Sequence, residues 1–144
     1  MDSTCVSFVV NGEPQPQPRP RFGKGRAYND KTHPCYAWKQ EVNLYARQAF
    51  AGREPFSGPV MMCLTFVMPR PTSKEWLRKK PGAGRMYHTA KPDIDNLVKA
   101  ILDSLKNVAW HDDTQVCMLT AMKWWQAVAD DEPRAIVAIS PPKL

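Results

Sequence analysis

The stretch KPDIDNLVKAILDSLKNVAWHDDTQV, residues 91–116, decides how the rest of the chain is read. Leu97, Ile101, Leu105 and Val108 recur at helical spacing, with Val98 and Leu102 beside them. This predicts an amphipathic helix over 95–108. Asp95 suits its first turn, where the helix dipole favours negative charge. Trp110 to Asp113 reads as a turn. Thr114 to Trp125 reads as a long strand with Val116, Met118, Thr120, Met122 and Trp124 on one face, so Trp124 and Trp125 point to opposite sides as core or dimer packing.

Working outward, Cys5 to Val10 is apolar and β-branched and stops at Asn11-Gly12, as a first strand would. Pro34 to Arg53 returns to helical period through Tyr36, Val42, Tyr45, Ala46 and Ala49, with Gly52 as its stop. Val60 to Met68 is nearly all apolar and fits a buried central strand. Arg134 to Ile139 is a closing strand, expected to form a hairpin with 114–125 across the acidic turn at 130–133. The sum is one α/β (α+β) domain over 1–144, a mixed sheet of about four strands against two or three helices.

Composition agrees with a single domain. The chain has 144 residues, 43% of them hydrophobic and 24% charged. No apolar run approaches a membrane span, and the start lacks a signal peptide, so a cytoplasmic protein is expected. Cys5, Cys35, Cys63 and Cys117 form no CxxC pair and read as reduced, mostly buried thiols. Twenty Lys and Arg against fourteen Asp and Glu leave a net charge of +6, which suits a polyanionic partner. The positive charge is clustered. In the arm 13–31, prolines at 14, 16, 18 and 20 force an extended chain, and Arg19, Arg21, Lys24, Arg26 and Lys31 follow. The loop 70–91 holds Arg70, Lys74, Arg78, Lys79, Lys80, Arg85 and Lys91 against Glu75 alone. Both segments are expected to hold phosphates of such a partner.

The acids are clustered too. Asp93 and Asp95 lie two apart on the approach to the helix, where an extended backbone would turn both to one side. Asp112 and Asp113 lie past its far end, ~20 Å away along the axis. They meet Asp93 and Asp95 if the chain returns toward the helix start, or else across a dimer interface or through a curved connection. Such carboxylates repel one another unless a divalent cation joins them, and hard oxygen ligands select Mg²⁺ or Mn²⁺. Lys99, four residues after Asp95, could neutralise charge on an attacked phosphodiester or pair with Asp95 or Asp103.

Asp93-Ile94-Asp95-Asn96-Leu97-Val98-Lys99, followed by Asp112-Asp113-Thr114-Gln115-Val116, resembles the RusA family of Holliday-junction resolvases. The likeness is specific over Lys91 to Lys123, and the proline- and arginine-rich arm resembles phage-borne members. It implies a homodimer that cuts four-way DNA junctions with Mg²⁺ in recombination and repair, without a nucleotide cofactor or a membrane. That setting would be the nucleoid of a bacterial or phage-infected cell. It implies that Asp93, Asp95 and Asp113 share one metal site, that Asp112 supports them and that Lys99 is the catalytic lysine. Lys123 would be a further DNA contact. Two other readings share these residues: a less selective nuclease of flaps and forks, and a non-catalytic junction binder.

Overall fold

The computed structural model describes residues 4–19, 21–28, 32–71, 86–127 and 131–143. Strand β1 is Val6–Asn11, and a small ribbon of β2 (Arg21–Gly23) and β3 (Arg26–Tyr28) follows the proline arm. Lys24 and Gly25 both have positive φ between its two strands, the backbone that a tight two-residue hairpin turn requires. Helix α1 spans Pro34–Phe50, strand β4 Val60–Met68, helix α2 Ile94–Leu105, strand β5 Val116–Trp125 and strand β6 Arg134–Ser140. The expected architecture holds: among the described residues there are two helices and one four-stranded mixed sheet, in the order β1-β6-β4-β5.

Two details of the expected arrangement are corrected. β5 and β6 are not a hairpin, because β4 lies between them, antiparallel to β6 and parallel to β5. β4 buries Val60, Met62, Leu64, Phe66 and Met68, and Val67 as well, so it needs a neighbour on each side. The parallel step from β4 to β5 is made by a crossover through α2. That leaves β5 at the sheet edge with Met118, Leu119 and Met122 exposed. The cysteines differ also: only Cys35 is buried, while Cys5, Cys63 and Cys117 are exposed.

Both helices lie on one face of the sheet. α1 buries Cys35, Trp38, Val42, Ala46 and Phe50, a stripe centred one residue away from the tyrosines. Tyr45 is exposed instead. His33 accepts the Cys35 backbone N–H at 3.1 Å as the N-cap, and Ala51 ends the helix in the left-handed region. α2 buries Leu97, Ile101 and Leu105 completely, each stabilising the fold by about 1.5–3 kcal/mol. Asn43 Nδ2 donates to the Ser104 carbonyl at 2.9 Å, and Lys39 pairs with Asp103 at 3.5 Å, fixing α1 against α2. Asp103 is therefore engaged from α1, whatever Lys99 does. Among the described residues no helix is long and apolar enough to cross a membrane.

Candidate functional site

α2 runs antiparallel to β5, and this places the acidic residues. At the helix start Asp93 is the N-cap in extended backbone, and its side chain makes no capping hydrogen bond. The helix begins at Ile94, so Asp95 already sits in the first turn, its Oδ1 accepting the Asn96 N–H at 3.0 Å. The extended geometry that would turn both carboxylates to one side therefore covers only Asp93. The two line different hollows. Asp93 faces a cavity of about 560 Å³ walled by the proline arm, with Arg19 and Lys91 beside it. The Gln17 N–H donates to the Asn96 carbonyl at 2.9 Å and holds the arm there. Asp95 and Lys99 line a groove of about 650 Å³ between α2 and β5, with Asp103 and Asp113. Ile94, Val98, Leu102, Leu119 and Ala121 give that groove an apolar floor.

The far end of the groove is built by the turn after α2. Trp110 is completely buried, and its Nε1 donates to Asp113 Oδ1 at 2.8 Å, which fixes that carboxylate. Asp112 faces away as the N-cap of the short helical turn at Asp113–Gln115. Its carboxylate accepts the Thr114 N–H, and this bond holds its pKa below the usual carboxylate range. Gln115 closes the capping box by accepting from the Asp112 N–H at 3.0 Å. It also donates to the carbonyls of Phe56 and Gly58, tying the turn to the chain before β4. This geometry makes Asp112 a builder of the turn and leaves Asp113 as the carboxylate in the groove. His111 is exposed in the same turn.

Lys123 has a place that its sequence position did not suggest. From β5 its Nζ donates to the carbonyls of Pro92 at 2.7 Å and Ala90 at 2.9 Å. Partial burial lowers its pKa, and the Asp93 carboxylate opposes that shift. It thus clamps the backbone that delivers Asp93 and Asp95. Beside it His88 is buried against the Trp125 ring, and burial followed by the Lys123 charge lowers its pKa. Tyr87 stacks on Trp124 at 4.2 Å, so Trp124 carries an aromatic partner on the strand. Arg26 and Lys24 are exposed on the small ribbon, and Arg21 begins it. Lys74, Lys79, Lys80 and Arg85 lie outside the described residues.

The model of the family Endodeoxyribonuclease RusA matches residues 11–140, nearly the whole chain. The chain belongs to the RusA family. A Bacillus subtilis (strain 168) protein described as uncharacterized, YqaN, is 36% identical over 143 residues, covering 94% of this chain and 95% of its own. Membership makes this RusA-family chain one of a family of endodeoxyribonucleases, hydrolases of DNA phosphodiester bonds. The matched span includes the proline arm, both helices and every strand of the sheet except β1, of which it takes in Asn11 alone.

Replacing Lys123 with Met tests the clamp. Cleavage is expected to fall by up to about 10²-fold, as misplacing a reactive group does. The salt dependence of DNA binding should stay as it is, because the ammonium is spent on carbonyls. A phosphate-binding lysine would instead lower the slope of log K against log salt by about 0.9.

Proposed function

We propose that this RusA-family protein is a Mg²⁺-dependent endodeoxyribonuclease that resolves four-way junctions and related branched DNA, with Mn²⁺ as a possible substitute ion. The observation that carries the reading is the groove along α2, lined by Asp95 and Lys99 near the helix start and by Asp113 at its far end, with Asp93 as the N-cap of the same helix. The donor set suits the ion. Asp93 and Asp95 are exposed carboxylates, outside any ion pair among the described residues, and Mg²⁺ typically takes one or two carboxylates plus water and phosphate oxygens. Asp93, Asp95 and Asp113 would hold it, and when bound it supplies charge neutralisation and a more acidic water for phosphodiester hydrolysis.

The chain's own residues supply the rest. Lys99 places a positive charge in the groove, where negative charge grows on the attacked phosphate. Trp110 keeps Asp113 turned inward, and Lys123 keeps the start of α2 in place. Arg19 and Lys91, beside Asp93, hold phosphates of the incoming strand, and Lys24, Arg26 and the basic residues of 70–91 add positive charge for the same polyanion. A homodimer carries two such sites, which suits paired nicks in a four-way junction.

Incubating the protein with a labelled mobile four-way junction, a fork and a linear duplex tests the reading, in Mg²⁺ and in EDTA. Cleavage of the junction in Mg²⁺ alone is the expected result. Equal cutting of all three substrates would mean a general nuclease, and binding without cutting would mean an architectural protein.

A further inference from the structure

Phe22, in the first strand of the small ribbon, is 84% exposed, more than any other large apolar side chain among the described residues. Burying such a ring would stabilise the fold, so the fold leaves that gain unused. The ribbon is a sheet of its own, apart from the four-stranded one. Phe22 lies opposite Ala27, and Lys24 and Gly25 form the turn beyond it. Lys24 and Arg26, on either side of that turn's glycine, are both exposed. By itself an exposed ring is ordinary on a protein surface. Here it is mounted rigidly, among cations, beside the candidate site.

The proline arm is the mount. Pro14, Pro16 and Pro18 stiffen it, and both helices pin it at Gln17. The Gln17 N–H donates to the Asn96 carbonyl of α2, and Lys39 Nζ of α1 donates to Gln17 Oε1 at 2.9 Å. Two residues on, Arg19 lines the cavity that Asp93 faces. Phe22 is three residues past Arg19, so the chain carries it no further than ~11 Å from that wall. At ~3.4 Å per nucleotide this is about three nucleotides from a phosphate held beside Asp93. An aromatic face at that distance needs a base with an open face. In linear duplex the bases are stacked on both sides, and inserting a ring requires a step to be unstacked. Where the arms of a junction part, a terminal base pair has one side open, and that cost falls away.

We propose that Phe22 stacks on a base at the branch point of a DNA junction, with Lys24 and Arg26 on the flanking phosphates, and that this ring gives the protein its preference for branched over linear DNA. This rests on branched DNA as the substrate proposed above and names the residue that recognises the branch. Lysine and arginine contacts hold any duplex, because its phosphates carry no information about branching. The ring adds affinity only where a base face is open.

Gel shifts in EDTA, with a four-way junction and a linear duplex of the same sequence, test it without need of cleavage. Phe22→Ala and Phe22→Leu are expected to weaken junction binding about 10-fold, within the range that stacking on one base contributes, and to leave duplex binding unchanged. Phe22→Tyr keeps the ring and should bind as the parent does. The slope of log K against log salt should be the same in all of them, because no charge is removed. As Phe22 is exposed, each variant should melt with the parent by circular dichroism. Parent-strength junction binding by Phe22→Ala, equal losses on junction and duplex, or full binding by Phe22→Leu each overturns the stacking role. A shift in the sedimentation of Phe22→Ala without DNA assigns the ring to a protein contact and overturns it too. A parent that prefers the junction yet cuts nothing in Mg²⁺ overturns the nuclease reading alone. A parent that binds both DNAs alike overturns the branch-point role of Phe22, whatever it cuts.

Discussion

Junction cleavage by the Asp93→Asn protein is expected to fall on the order of 10³-fold, while junction binding persists or tightens. The substitution isolates charge. Asp93 is the N-cap of α2 but caps no N–H with its side chain, and Asn is as good a residue at that position. Its carboxylate is exposed, so the unfolding free energy should change by no more than about 0.5 kcal/mol. What is lost is one negative charge and one hard ligand, facing the cavity that Arg19 and Lys91 also line. Removing a negative charge beside a polyanion favours DNA binding, whereas removing a ligand from the cation's site stops hydrolysis. Binding by gel shift in EDTA and cutting rate in Mg²⁺ should therefore move apart. Cleavage at the parent rate would take Asp93 out of the mechanism.

Much of this was legible because the informative residues obey local rules. The Leu97, Ile101, Leu105 stripe has helical period and is the buried face of α2. Val60 to Met68 lacks alternation and is the interior strand it should be. The order of strands was not legible, since pairing depends on which strand can bear an edge. β6 buries alternate residues to nothing and goes inside, while β5 leaves Met118, Leu119 and Met122 in solvent. On α1 the period found Val42 and Ala46, which are buried, while it could not rank Trp38, which joins them, above Tyr45, which stays in solvent. In the site, the types and spacing of the acids were readable, and the helix length already implied that they stand apart. The D-x-x-Q pattern of Asp112 and Gln115 is a capping-box signature that could have marked Asp112 as a builder of the turn. Nothing in the sequence pointed to Lys123 as a backbone clamp, because its acceptors are carbonyls 31 and 33 positions away.

Trp110 carries the other large effect, because it serves the core and the site at once. Its side chain is fully buried, and its indole N–H is bonded to Asp113. Trp110→Ala is expected to destabilise the protein by about 3–5 kcal/mol through the cavity it leaves. For a domain of this size that lowers the thermal midpoint by roughly 10 °C or more. Such a loss would mask any effect on chemistry, so Trp110→Phe is the sharper variant. Phenylalanine keeps an aromatic ring in the core but offers Asp113 no donor. The lost bond to a charged group should reduce stability by about 1–3 kcal/mol, leaving the protein folded at 25 °C. Cleavage should then fall well below the parent rate, because the Asp113 carboxylate is free to turn out of the groove, while junction binding in EDTA stays unchanged. If Trp110→Phe loses stability yet cuts at the parent rate, the Trp110–Asp113 bond serves folding alone, and the groove-facing carboxylate needs no support from the core.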